Sequence, residues 1–292
     1  MVLSRFALSL VLAGMFLGGC AKPPSQHETL MQPVDTTLTT ASIAPATVSV
    51  RDQEMPRRIF SAGPLSGRTL AVASSADIVL QPGEVVLTFD DGPRPGRTDK
   101  ILATLDEFGV KASFLMLGSA AQAQPRLAQQ VAARGHTVGS HTFAHVDLET
   151  LGRQEALDEI AKGERAVAQA LAGSGQAPAP FFRFPYLSQS GFLRTNLGQS
   201  GLVVLDVTID SKDYYKDTPA IVAARTLARL DARGSGIILF HDIHQRTVDM
   251  LPDFLAELRL RGYSVVRLVP KDNGVFGRSL ITADAPALSD AL

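Results

Sequence analysis

Hydrophobic positions along residues 84–268 fall into two alternating rhythms. Short runs rich in β-branched and aromatic residues occur at 85–89 (VVLTF), 112–116 (ASFLM), 136–140 (HTVGS), 181–184 (FFRF), 202–207 (LVVLDV), 237–240 (IILF) and 264–268 (SVVRL). Their length and composition predict strands. Between them the apolar positions take a helical repeat. In TVDMLPDFLAELRLRG, Val248, Leu251, Leu255 and Leu258 share one face at i, i+3, i+7 and i+10, and Gly262 is placed to stop the helix. TDKILATLDEFG, PRLAQQVAARG, RQEALDEIAKGERAVAQALAG and PAIVAARTLARLDARG read the same way. Strands alternating with helices of this length form βα units on a parallel sheet covered on both faces. The seven runs therefore predict an α/β fold in which the sheet closes, or nearly closes, into a barrel.

Outside this region the rhythm is lost. Residues 1–19 carry one positive charge in MVLSR and then an apolar segment, FALSLVLAGMFLG, too short to span a bilayer comfortably, which predicts a secretory signal. The segment ends LGGC, and Cys20 is the only cysteine in the chain. This resembles the lipobox of bacterial lipoproteins, in which cleavage before the cysteine leaves it lipidated. Ala21 stands where an aspartate is associated with inner-membrane retention, so the resemblance implies export to the periplasm with a lipid anchor on Cys20, at the outer membrane rather than the inner one. Residues 20–75 shift to Pro, Thr, Ser, Gln and Ala and predict a flexible tether with a reach of about 40 Å. Within it and just beyond, RTLAVASSADIVL (68–80) is a candidate peripheral strand. The predicted globular body is 76–270, and 271–292 reads as a tail.

Composition narrows the partners. The chain has 292 residues, 45% of them hydrophobic, enough for a sizeable core. Lys and Arg number 28 against 29 for Asp and Glu, and no basic block stands out, so no nucleic-acid partner is expected. A lone cysteine excludes an intrachain disulfide, and a monomer is expected.

The candidate chemistry sits where the predicted strands end. Asp90 and Asp91 close an apolar run and are followed by Gly92-Pro93, a turn. Successive side chains on a strand point to opposite faces, so two adjacent aspartates serve one site only if the strand has ended and the chain is turning. A solvated turn would carry the same residues. After the next strand but one, HTFAH places His141 and His145 four apart, on one face if the segment makes a helical turn. Two histidines and one carboxylate leave coordination positions open for water, the pattern of a catalytic zinc site. One aspartate would then bind metal and the other move protons. Arg183 lies inside an apolar run, where a charge is costly unless paired, and His241 follows an all-apolar strand. His244 is a weaker claimant, and His27 and His136 belong to no constellation.

TFDDGP, HTFAH, RFPY, DSKDY and LFH, in this order over about 155 residues, resemble the five motifs of polysaccharide deacetylases of carbohydrate esterase family 4, the NodB-homology domain. The resemblance implies a distorted (β/α)7 barrel and a metal-dependent amide hydrolase acting on an N-acetylated polysaccharide. It implies Asp90 as general base, with Asp91, His141 and His145 as ligands of a divalent metal. Zinc is the usual ion, and cobalt, nickel or manganese suit the same ligands. Arg183 would orient Asp90, the Tyr186 backbone N–H would bind the oxyanion, Leu239 would line the acetyl pocket, and His241, paired with Asp213, would be the general acid. Tyr214 replaces the family's tryptophan in a wall of the sugar groove. Two rival readings are a non-haem iron oxygenase, which leaves the second Asp, Arg183 and His241 unexplained, and a lipid-anchored glycan-binding or export module without turnover. An O-acetyl esterase acting on another polysaccharide is a third.

Overall fold

The computed structural model describes residues 64–271. Cys20, the signal, most of the tether and the tail lie outside them. The elements in chain order are β1 (Ser66–Val72), β2 (Glu84–Asp90), α1 (Thr98–Glu107), β3 (Ser113–Met116), α2 (Gly118–Ala123), α3 (Pro125–Ala133), β4 (Thr137–Ser140), α4 (Arg153–Ala172), β5 (Phe181–Phe182), α5 (Gly191–Gln199), β6 (Val203–Val204), β7 (Ile209–Asp210), α6 (Pro219–Arg233), β8 (Gly236–His241), α7 (Gln245–Leu260) and β9 (Ser264–Pro270). All recorded strand pairings are parallel. The sheet runs β6-β5-β4-β3-β2-β8-β7, and no pairing joins β6 to β7. Seven staves therefore make a nearly closed barrel, open where the connection between β6 and β7 is too short to hold a helix.

Strand parity decides which residues reach the interior. Along β2, Val85, Leu87 and Phe89 pack outward against the helices, in one core with Ile101, Leu105, Phe240 and Phe254. Val86 faces inward with Leu115, Phe181, Val203, Leu205 and Ile237. Thr88 and Asp90 follow Val86 at the period of two, so both enter the barrel. β8 lies beside β2 in register, pairing Val86 with Ile237, Thr88 with Leu239 and Asp90 with His241. The C-terminal ends of these two strands thus deliver Asp90 and His241 side by side at the barrel mouth, the end where βα barrels carry their chemistry.

β9 departs from the predicted role of a seventh stave. It pairs with β2 only at Glu84 and Val85, below the stretch where β3 pairs with Thr88, Phe89 and Asp90. β9 then carries β1 on its other side. Val72 from β1 and Val266 and Leu268 from β9 join the interior core, so this pair floors the barrel. The place of the seventh stave goes to β7, a two-residue strand inside VTIDSKD whose polar neighbours hid it from the periodicity. Two helices also escaped prediction: α2 is too short to show a repeat, and α5 buries only Leu193 and Leu197. Among the described residues no helix is long and apolar enough to cross a membrane.

The floor corrects the boundary between tether and body. β1 begins at Ser66, ten positions before the predicted start at 76, and matches five of its residues to β9. A chain beginning at residue 76 loses that ladder and bares Val266 and Leu268. It is expected to unfold at a lower denaturant midpoint than a chain beginning at residue 64, measured by circular dichroism; equal midpoints would contradict the role given to β1.

Candidate active site

Arg183 organises the centre of the barrel mouth. It follows β5 with the parity that turns it inward, and it is fully buried. Its Nη1 donates to Asp90 Oδ1 (2.7 Å) and to Thr88 Oγ1 (2.8 Å), and its Nε donates to the Leu205 carbonyl (3.0 Å). A buried charge survives only with such compensation. Asp90, also buried, has one oxygen held by Arg183, while Oδ2 lies 3.9 Å from His141 Nε2. Both residues are where the sequence predicted them, and they form the predicted ion pair.

Asp91 turns away from Asp90 because the chain has left the strand. Its φ is +77°, in the left-handed region. Its Oδ1 lies 3.5 Å from His141 Nε2 and 3.5 Å from His145 Nε2. The predicted helical turn across 141–145 is absent: Thr142 and His145 adopt φ of +66° and +57°, and this loop rather than a helix brings the two rings together, centroids 5.0 Å apart. The six described non-glycine residues with positive φ are Asp91, Thr142, His145, Tyr186, Leu187 and Lys212. All lie in the strand-end loops of this mouth, so the fold concentrates its backbone strain at one site.

Three observations show that Asp91, His141 and His145 suit a divalent cation. One donor atom from each lies within 4.8 Å of the others. Asp91 Oδ1 is buried without a hydrogen-bond partner. The Nδ1 of His141 donates to the Arg183 carbonyl (2.8 Å), because a carbonyl only accepts, and this leaves the Nε2 lone pair facing Asp91. Burial lowers the His141 pKa against the pull of the neighbouring aspartates, which favours the neutral, ligating form.

His241 is held in the opposite charge state. Asp213, completely buried, accepts from His241 Nδ1 (2.7 Å) and the His241 backbone N–H (2.7 Å), and from the Thr247 hydroxyl (2.6 Å). Burial pushes the Asp213 carboxyl up, and these donors outweigh it, so its pKa is lowered. Burial likewise opposes the His241 charge, but Asp213 and the more distant Asp91 and Asp90 raise its pKa to about 9. In the metal-free protein this favours the cationic form of His241 at neutral pH. The coupling stabilises the fold fully below the ordinary value of 6.5 and is lost as pH rises through about 9.

Asp90, Asp91, His141, His145 and His241 line one cavity of about 380 Å³, together with Phe184, Tyr186, Leu187, Asp210, Tyr214, Leu239, Ile243 and His244, while Arg183 and Asp213 are buried behind them. A larger groove of about 720 Å³ between α6 and α7 holds none of the predicted site residues. Tyr186 stacks edge-on against His145 at 4.6 Å. Tyr214 donates its hydroxyl to Asp210 (2.9 Å) and meets His241 edge-on at 5.5 Å. His244 precedes α7 and also reaches the cavity. His136 stands apart, buried at the start of β4, where it accepts the Ala112 N–H and burial lowers its pKa to about 4.

Sequence reasoning missed Asp210 and Asp242. Asp242 is buried beneath the Asp90–Gly92 turn, where its Oδ2 accepts from Thr98 Oγ1 (2.6 Å) and a Cβ on Gly92 would fall 2.0 Å from it. Only glycine fits there. Burial and the nearby Asp91 raise the Asp242 carboxyl to about 7. The one sequence cue was an aspartate directly after the strand-end histidine.

A parallel α/β barrel with a two-histidine, one-aspartate cluster beside an Asp–Arg pair and a His–Asp pair defines a hydrolase-type site. Comparison with known proteins makes the class specific. Residues 79–205 match the family profile described as polysaccharide deacetylase. The chain is 34% identical over 218 residues to a chitin deacetylase from Colletotrichum lindemuthianum, covering 70% of this chain and 86% of that protein. It is 34% identical over 185 residues to a peptidoglycan-N-acetylglucosamine deacetylase from Listeria monocytogenes, covering 63% of this chain but only 38% of that one. Among solved structures, a peptidoglycan deacetylase from Bdellovibrio bacteriovorus superposes with a TM-score of 0.62 at 38% identity, over 72% of this chain and 57% of that one. The chain belongs to the polysaccharide deacetylase family.

The His241–Asp213 pair can be tested directly. In the metal-free protein, the His241 ring is expected to titrate by NMR near pH 9, and Asp213→Asn should drop that midpoint by more than one unit. A wild-type midpoint at or below 6.5 would contradict the pairing.

Proposed function

We propose that the protein hydrolyses the N-acetyl groups of an N-acetylglucosamine-containing polysaccharide: peptidoglycan, poly-N-acetylglucosamine or a chitin-like oligomer. Water and the acetamide give acetate and a free amine on the sugar. The observation that carries this reading is the contrast across the paired ends of β2 and β8: a carboxylate with one oxygen uncommitted, beside a histidine held cationic. Amide hydrolysis needs both, a base for the water and an acid for the departing nitrogen.

Asp91, His141 and His145 would hold a divalent ion, zinc before cobalt, nickel or manganese. Such an ion supplies polarisation of the acetyl carbonyl and a water of lowered pKa. Asp90 takes the water's proton on Oδ2 while Arg183 fixes Oδ1. His241 donates from Nε2 to the leaving amine, since Asp213 occupies Nδ1. The Tyr186 backbone N–H is assigned to the oxyanion, where one such donor contributes about 3 kcal/mol. Leu239 forms the floor for the acetyl methyl, and Tyr214, braced by Asp210, forms a wall for the sugar ring. A lipid anchor on Cys20 and a tether would place this mouth in the periplasm near its polymer, most readily from the outer membrane.

Acetate release from N-acetylglucosamine oligomers, peptidoglycan and acetylated xylan tests the reading. Chelation is expected to abolish release and zinc to restore it, with the N-acetylated polymers preferred over the ester. Asp90→Asn should keep zinc and lose about 10²- to 10⁴-fold in kcat. Full turnover by that variant would remove Asp90 from the role of base, and absence of release from every polymer by the zinc-loaded wild type would overturn the proposed activity.

A further inference from the structure

The loop carrying His141 and His145 belongs to no helix or strand, yet it must hold two rings on one aspartate. Helices α2 and α4 grip it from the barrel's outer side. The Thr142 and Phe143 carbonyls accept from the Gly118 N–H (2.8 Å) and the Ser119 N–H (3.0 Å) at the start of α2. Gly163 of α4 lies so close that a Cβ there would sit 2.4 Å from the Thr142 carbonyl carbon. The third contact is of another kind. Glu159, two turns into α4, turns a single oxygen onto the loop: Oε1 accepts the Phe143 N–H (3.1 Å) and the Ala144 N–H (2.6 Å).

Those two amides lie between the two imidazole ligands, in a segment whose left-handed turns at Thr142 and His145 make no helical hydrogen bonds for them. A carboxylate accepting two backbone N–H groups forms stronger hydrogen bonds than a neutral acceptor. We propose that Glu159 is a positioning residue for the metal centre, holding the 142–145 loop in the conformation that aims His141 and His145 at Asp91. The inference rests on the reading of these three residues as metal ligands. It assigns Glu159 no contact with substrate. Its effect is on how tightly, and with what geometry, the ion is held, as is general for groups that orient metal ligands.

The test is zinc affinity of the full chain, by competition with a chromophoric chelator, for wild type and for Glu159→Ala, Glu159→Asp and Glu159→Gln. Ala removes the acceptor, Asp keeps the charge but shortens the reach, and Gln keeps an acceptor oxygen at full reach without charge. Ala and Asp are expected to weaken zinc binding by about 10- to 100-fold, with Gln recovering most of the loss. Thermal unfolding of the metal-free variants provides the control, because a purely structural role would lower that midpoint and leave zinc affinity alone. Should Glu159→Ala fail to fold, the Asp and Gln pair carries the ranking. Wild-type affinity in every folded variant would overturn the inference, as would Gln as weak as Asp. A wild type that binds no zinc would overturn the metal reading beneath it.

Discussion

The ion pair between Arg183 and Asp90 is the interaction on which the site depends. Both side chains are buried at the barrel axis, and removing either partner of such a pair costs about 3–5 kcal/mol. Arg183 does more than neutralise. Its Nε and Nη1 tie the ends of β5 and β6 to β2, and its backbone carbonyl fixes the ring of His141. One residue therefore sets the free oxygen of Asp90 and the nitrogen that His141 turns toward Asp91. The candidate base and one of the three candidate metal ligands thus share one buried anchor on the barrel.

The two adjacent aspartates follow from the same constraint. Asp90 is still strand, inward by parity with Val86 and Thr88, and its backbone pairs with β8. Asp91 is past the strand, and its left-handed φ swings the carboxylate toward the histidine loop. Like charges so close would repel without separate partners; Asp90 has the guanidinium, and Asp91 faces the two imidazole nitrogens with which it would share a cation. The cost in backbone strain falls at residues with functional positions, and Asp242 and Glu159 are the buried or half-buried carboxylates that brace those turns.

Much of this was legible in the sequence because strand period and strand ends are local properties. VVLTFD and IILFH announce both the barrel and the positions of Asp90 and His241, and the ordered motifs assembled the rest of the cavity. What stayed hidden depends on contacts distant in the chain. β7 is too short to have a period, and the swap that makes β9 a floor appears only in its register with β2. The histidine spacing suggested a helical turn, yet the loop reaches the same convergence because α2 and α4 hold it, a packing fact that no local spacing encodes. Glu159 lies in an ordinary amphipathic helix, where a half-buried glutamate gives no signal of its own.

A crystal structure of the zinc-loaded protein, with anomalous data collected at the zinc edge, tests the division of labour between Asp90 and Asp91 most directly. The account predicts one ion bonded to an Asp91 oxygen and to Nε2 of His141 and His145, with Asp90 still on Arg183 and outside the coordination sphere. An ion ligated by Asp90, or density at the edge only elsewhere on the chain, would contradict it.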